Sequence, residues 1–208
     1  MLKQSLTGSP MTVDDNALML MFRNGNEDAF MTLVSRYKHL MVNYIYRLTG
    51  DYDAAVDLAQ DAFVRVFQHH QSYDPRLKFS TWIYKIATNL AIDSLRKRQR
   101  RMTFSLSEAT EVLPENQPAD HDPHYAPRYD PESMALRREA QTKILAALGA
   151  LDPENRQLFV LKEIESLSLE EISQITGLKI GTLKSRLHRI RNFLKDKLRD
   201  YFHRGGTA

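Results

Sequence analysis

The stretch SLEEISQITGLKIGTLKSRLHRIR, residues 168–191, decides the fold of the carboxyl-terminal half of this chain. Ser168 followed three residues later by Glu171 forms a capping box, which marks the first turn of a helix. Gly177 can adopt the left-handed conformation that ends a helix in a sharp turn. A second helical pattern begins near Ile180, so the spacing predicts a helix-turn-helix.

The second helix of this motif has an apolar face and a polar, basic face. Its apolar residues recur at helical spacing and predict a buried stripe: Leu183, Leu187, Ile190 and Leu194. The side chains that project away from this stripe are Lys184, Ser185, His188 and Arg189. Hydroxyl, imidazole and guanidinium groups can bind base edges while cations neutralise phosphates, so this face is predicted to enter the major groove of DNA. The alternative is a solvated basic face on a packing helix, which the capping box and the glycine turn disfavour.

The amino-terminal half carries further helical patterns. A helix is predicted from Asp28 to Leu48, and an amphipathic helix from Asp53 to His69 has its apolar arc at Val56, Ala59, Phe63, Val66 and Phe67. A later helix buries the stripe Phe79, Ile83, Ile86, Ala87 and Leu90, and it exposes a polar stripe with Trp82, Lys85, Asn89 and Arg96. For both Phe79 and Trp82, packing in the core is one interpretation.

Between the halves lies an acidic, proline-rich stretch. Five of the eight prolines and seven acids fall in it against one arginine, a formal charge of 1 − 7 = −6. A run of this composition without periodicity predicts a flexible linker. The sequence therefore predicts an all-α fold with an amino-terminal tail at 1–15, a helical domain at 16–101, a linker at 102–133, a helical domain at 134–202 and a carboxyl-terminal tail at 203–208.

Composition limits the function. The 208 residues carry a net charge of only +3, but cations cluster at 96–101 and 179–199, which predicts two surfaces for a polyanion. No cysteine is present, so disulfides and thiolate metal sites are excluded. Asp120–His124 contains ligand types for a metal but no scaffold to hold them, and no nucleophile with its base is recognisable. We therefore expect no metal, no cofactor and no catalytic residues. We also expect no membrane insertion and a cytoplasmic location, because no long apolar run or signal peptide is seen.

Four segments resemble a known family. LDPENRQLFVLKEIESLSLEEI at 151–172 and GTLKSRLHR at 181–189 resemble region 4 of the extracytoplasmic-function (ECF) sigma factors, which are subunits of bacterial RNA polymerase. DAAVDLAQDAFVRVF at 53–67 and FSTWIYKIATNLAIDSLRKR at 79–98 are similar to region 2 of the same family. The resemblance implies an alternative sigma factor that binds core RNA polymerase, recognises and melts promoter DNA, and is held inactive by an anti-sigma factor.

The resemblance also implies residue roles. It assigns the minus-thirty-five element to Lys184, Ser185, His188 and Arg189. It assigns recognition and melting of the minus-ten element to Lys78, Phe79, Ser80, Trp82, Lys85, Asn89 and Arg96. It assigns polymerase docking to Asp57, Leu58, Gln60, Asp61 and Arg65. A free-standing helix-turn-helix regulator and a metal-dependent nuclease are the alternative functions. A further hypothesis is that the acidic linker folds back on the basic surfaces and weakens non-specific DNA binding.

Overall fold

A computed structural model describes residues 13–105 and 142–204, with side chains at 13–101 and 142–199. All regular structure within these ranges is helical, which confirms the all-α prediction. The elements in chain order are α1 (Asp15–Arg23), α2 (Glu27–Thr49), α3 (Tyr52–His69), a 3₁₀ turn (His70–Ser72), α4 (Phe79–Ser105), α5 (142–149), α6 (Pro153–Phe159), a π-helical turn (Val160–Ile164), α7 (Leu169–Thr176) and α8 (Ile180–Arg204). None of the described helices is long and apolar enough to cross a membrane.

The predicted helix-turn-helix is confirmed in its local details. The Ser168 hydroxyl oxygen accepts a hydrogen bond from the Glu171 N–H at 3.1 Å, and a Glu171 carboxylate oxygen accepts one from the Ser168 N–H at 2.8 Å. This reciprocal pair satisfies two donors that the first turn of α7 would otherwise leave free. Gly177 ends α7 with φ +74°, which only glycine adopts without strain. The chain therefore changes direction between α7 and α8.

The amino-terminal unit, α1–α4, encloses a core formed mainly by α2 and α4. Fully buried side chains include Leu33, Tyr44, Ile45, Phe79 and Ile83. One sequence prediction here is wrong: the Phe67 side chain, assigned to the buried arc of α3, is 48% exposed. It lies at the edge of an aromatic group with Phe22, Phe30 and His70, so only one side of its ring is covered.

The carboxyl-terminal unit, α5–α8, buries apolar residues of its own, and one of its contacts with α2 is made by an arginine. Leu148, Leu158, Leu161, Ile172 and the apolar stripe of α8 are buried. The Arg156 guanidinium donates hydrogen bonds to the carbonyls of Leu148, Gly149 and Leu151 in its own unit, and to the carbonyl of Leu48 at the end of α2. The last carbonyl groups of a helix have no N–H partner within that helix. A guanidinium has enough N–H groups to donate hydrogen bonds to several of these carbonyls.

The two units pack against each other through α4, which contacts α6 and α7. The predicted start of the linker at 102 falls inside α4, which continues to Ser105 because the arginine- and lysine-rich run at 96–101 favours helix. Residues 1–12, 106–141 and 205–208 lie outside the described ranges. The Asp120–His124 pattern and the linker acids, with the hypothesis of linker masking, therefore fall outside them too.

Candidate promoter and polymerase interfaces

Helix α8 has the two faces that its sequence predicts. Its stripe at Leu183, Leu187, Ile190 and Leu194 is at most 5% exposed, whereas Lys184, Ser185, His188 and Arg189 are all exposed. The Ser185 hydroxyl donates to the Thr182 carbonyl at 3.0 Å, and a ring nitrogen of His188 lies 3.2 Å from the side-chain nitrogen of Asn192. The buried stripe fixes the rotation of the helix about its axis, so that its polar face points to solvent as one surface.

The second candidate surface lies at the amino end of α4. Lys85 and Asn89 are exposed on one side of this helix, and Ser80 is partly exposed. The Trp82 ring is half-buried and packs against the rings of Tyr73 and Phe79, with centroids 5.2 and 6.4 Å apart. The Trp82 ring is therefore held by two aromatic neighbours and is still partly exposed. A ring in this position is suited to stack on a flipped nucleotide base.

Phe79 requires a correction. Its side chain is 0% exposed and meets the Tyr37 ring edge-on at a centroid distance of 5.1 Å. A ring in this position cannot stack on a base without leaving the core. Of the two interpretations open for Phe79, packing in the core is the one that the structure supports, and we remove it from the residues proposed to contact DNA.

Two of the cations that the family resemblance assigns to the minus-ten element pair with acids of the carboxyl-terminal unit. Lys78 Nζ lies 2.9 Å from Glu171 Oε1, and Arg96 Nη2 lies 3.2 Å from Glu154 Oε1. Burial alone would raise the pKa of Glu171, but hydrogen bonds from Lys78 and Ser168 outweigh it and hold that pKa below its ordinary value. The carboxylate is therefore charged at neutral pH and pairs with the Lys78 ammonium.

Glu165 connects the two units, a role that the sequence analysis did not predict. Its side chain is 8% exposed, and its carboxylate accepts hydrogen bonds from Arg47 of α2 at 3.2 Å and from the Tyr84 hydroxyl of α4. Burial, and then the charge of Glu165, raise the pKa of Tyr84, so that the hydroxyl stays protonated and donates. The only sequence signal is that Glu165 follows a helix directly, which does not indicate a partner over a hundred residues away.

Helix α3 carries the candidate polymerase surface. Asp57, Gln60, Asp61 and Arg65 are exposed, as their helical spacing predicts. Leu58 instead packs partly buried against the core, which leaves little of it for a partner. Sequence reasoning missed Val64 and Phe67, which are 52% and 48% exposed beside these polar groups. Exposed apolar side chains next to charged ones are typical of a docking surface.

A helix-turn-helix with an exposed cationic face, joined to a second helical unit that presents an aromatic side chain and cations, is the architecture of a DNA-binding protein. Comparison with known families identifies the class. The family model for Sigma-70 region 2 matches residues 33–101, and that for Sigma-70, region 4, matches residues 141–194. This chain belongs to the ECF class of RNA polymerase sigma factors.

Individual relatives and solved structures agree with this assignment. The ECF RNA polymerase sigma factor SigW of Bacillus subtilis is 37% identical over 179 residues, which are 86% of this chain and 93% of SigW. SigE of Mycolicibacterium smegmatis is 40% identical over 80% of this chain and 60% of its own length. CnrH, solved in complex with the cytosolic domain of CnrY, matches the fold at a TM-score of 0.64 and 21% identity over 89% of this chain and 97% of that one. RpoE of Bartonella quintana, solved with the anti-sigma factor NepR, matches at 0.62 and 25% identity over 82% and 96%.

Proposed function

We propose that this sigma factor recognises its promoters through two separate surfaces. Lys184, Ser185, His188 and Arg189 of α8 bind the minus-thirty-five element. The minus-ten element is bound and opened by a set of residues that we call the minus-ten surface: Lys78 directly before α4, and Ser80, Trp82, Lys85, Asn89 and Arg96 along it. The observation that carries this proposal is the exposure of the whole polar face of α8 opposite a fully packed apolar stripe.

Two cations of the minus-ten surface must exchange their present partners for DNA phosphates before this surface can bind the promoter. Lys78 and Arg96 pair with Glu171 and Glu154, so phosphates must replace these carboxylates before the two cations bind DNA. In both ion pairs the cation is mostly exposed, and such pairs contribute little because water screens them. A DNA backbone with several phosphates can therefore displace the acids once the two units separate, and the sigma factor then spans both promoter elements.

We further propose that the polar face of α3, formed by Asp57, Gln60, Asp61 and Arg65, docks on core RNA polymerase, with Val64 and Phe67 adding apolar contact. An anti-sigma factor is proposed as a further partner, because RpoE of Bartonella quintana was solved with one. The place of action is the cytoplasm, where promoter DNA and polymerase meet. We assign no catalytic site to the chain, since sigma factors act as DNA-binding initiation factors.

Arg189→Ala and Lys184→Ala are each expected to reduce transcription from a promoter that depends on its minus-thirty-five element. Each variant removes one base or phosphate contact, which costs roughly 1–3 kcal/mol of binding free energy. The measurement is initiation by reconstituted holoenzyme on promoters with and without that element. Affinity for core polymerase should stay unchanged, because α3 is untouched.

Lys197→Ala is the matched control. It also removes one positive charge from α8, but Lys197 lies over the Phe193 ring and is not one of the residues proposed to bind the minus-thirty-five element. The level of initiation with this variant should stay close to that of the unchanged protein. Full activity of both Arg189→Ala and Lys184→Ala on the element-dependent promoter would contradict the assignment of this face.

A further inference from the structure

The first turn of α4 lacks a cap from its own sequence. Lys78 occupies the position before Phe79, and a lysine side chain has donors but no acceptor for the free N–H groups of a helix start. The acceptor comes from α1 instead: Asn16 Oδ1 lies 2.7 Å from the N–H of Phe79. The helix that carries the minus-ten surface is thus capped by a residue 63 positions earlier in the chain.

Asn16 is itself held firmly. Asp14 caps α1 and accepts a hydrogen bond from the Asn16 N–H at 3.0 Å. The neighbouring Asp15 accepts from the Arg36 guanidinium at 2.5 Å and from the Tyr37 hydroxyl at 2.6 Å, and both of these residues lie on α2. These contacts hold the backbone around Asn16 against α2, next to the start of α4.

Helix α1 also holds the loop that leads into α4. The Arg23 guanidinium donates to the Tyr73 carbonyl at 3.1 Å, and the Gln71 amide donates to the Arg23 carbonyl at 3.0 Å. The Tyr73 hydroxyl lies 2.6 Å from the Leu77 carbonyl and 3.2 Å from Asn16 Oδ1. Asn16 thus contacts both the Tyr73 side chain within this loop and the helix start at its end.

We propose that Asn16 is a positioning residue for minus-ten recognition. Its hydrogen bond to Phe79 fixes the first turn of α4, and with it the mutual placement of Lys78, Ser80 and Trp82. Asn16 does not touch DNA in this role. The inference rests on the proposed assignment of the minus-ten surface to α4, and the experiment must separate the failure of one from the failure of the other.

The test uses holoenzyme assembled from the full chain and core polymerase. Asn16→Ala should slow promoter opening, followed by permanganate reactivity of the minus-ten thymines, by about fivefold, the factor expected for one lost capping bond. Affinity for core polymerase and binding of a duplex minus-thirty-five element should stay unchanged, because α3 and α8 do not contact Asn16. Asn16→Asp should restore opening, since a carboxylate oxygen accepts the same N–H.

Asn26→Ala is the matched control. Asn26 caps α2 by the same chemistry, accepting from the Ala29 N–H at 3.1 Å, at a helix start that does not carry the minus-ten surface. The proposal expects opening to fall with Asn16→Ala and not with Asn26→Ala. Unchanged opening by Asn16→Ala, equal losses in the two variants, a parallel loss of core affinity, or no rescue by Asn16→Asp would each overturn it.

The double variant Lys85→Ala, Asn89→Ala separates this inference from the proposed function. Both side chains are exposed on the minus-ten surface and neither touches Asn16 in the contacts described. If the double variant opens promoters normally, the assignment of that surface to α4 is wrong, and the positioning role is overturned with it. If it fails to open them while Asn16→Ala opens them normally, only the positioning role is overturned.

Discussion

Glu165→Ala is expected to separate the two helical units of the free sigma factor. The substitution leaves the Tyr84 hydroxyl and Arg47 without the carboxylate that joins them across the contact. Removing one partner from a largely buried charged hydrogen bond costs on the order of 2 kcal/mol, after allowance for the partial exposure of Arg47. In the other two ion pairs between the units, Lys78–Glu171 and Arg96–Glu154, the cation is mostly exposed and screened by water, so these pairs contribute less than Glu165.

Small-angle scattering of the isolated chain measures this effect as a larger radius of gyration. The matched control is Glu163→Ala, two residues earlier, because Glu163 pairs at 2.7 Å with Arg191 inside its own unit. The control loses an ion pair without loosening the contact between units. Scattering profiles that are the same for the two variants would show that Glu165 does not hold the units together.

Asp61→Arg is expected to weaken binding to core RNA polymerase by at least about tenfold, because a charge reversal within an interface places like charges or unpaired charges against the partner. Asp61 is exposed on α3, whereas the buried side of that helix is formed by Ala55, Ala59, Ala62 and Val66. The fold should therefore be unaffected, and the thermal midpoint of the isolated chain should stay close to that of the unchanged protein.

The measurement is a fluorescence titration of labelled sigma factor with core polymerase. Asp93→Arg provides the matched control, since it makes the same charge change at an exposed residue of the same unit but on α4. Core affinity that is equal for the Asp61 and Asp93 variants would refute the assignment of α3 as the docking surface.

Local sequence was sufficient wherever the physical cause of a structure is local. The capping box at Ser168 and the left-handed glycine at position 177 each act within one helical turn, and both were predicted correctly. The apolar stripe of α8 was equally legible, because a helix places every third or fourth side chain on one face. Helix α1 was not predicted, since its nine residues are too few for a period to stand out and it lacks a capping box like the one that marks the shorter α7.

Side chains that serve two surfaces were harder to predict. The period of α4 identified one buried stripe, but Tyr84 and Thr88 are also buried: the Tyr84 ring meets the Tyr44 ring of α2, its hydroxyl meets Glu165, and Thr88 shares a hydrogen bond with the Tyr44 hydroxyl. Phe67 shows the opposite case, because an apolar position at the edge of a unit keeps one side in water. A helical period gives direction around the axis, and only the packed neighbours decide how far burial extends.

The sequence by itself determined most of the longer helices, the capping box of α7, the polar face of α8 and the sigma-factor class, since all of these depend on residues close together in the chain or on motifs several residues long. Only the tertiary structure decided which distant residues meet. Asn16 caps α4, Arg156 joins α5 to the end of α2, and Glu165 joins α2 and α4 to the carboxyl-terminal unit. Each of these polar groups needs a partner once it is shielded from water, but its own neighbours in sequence do not specify which partner the fold brings to it.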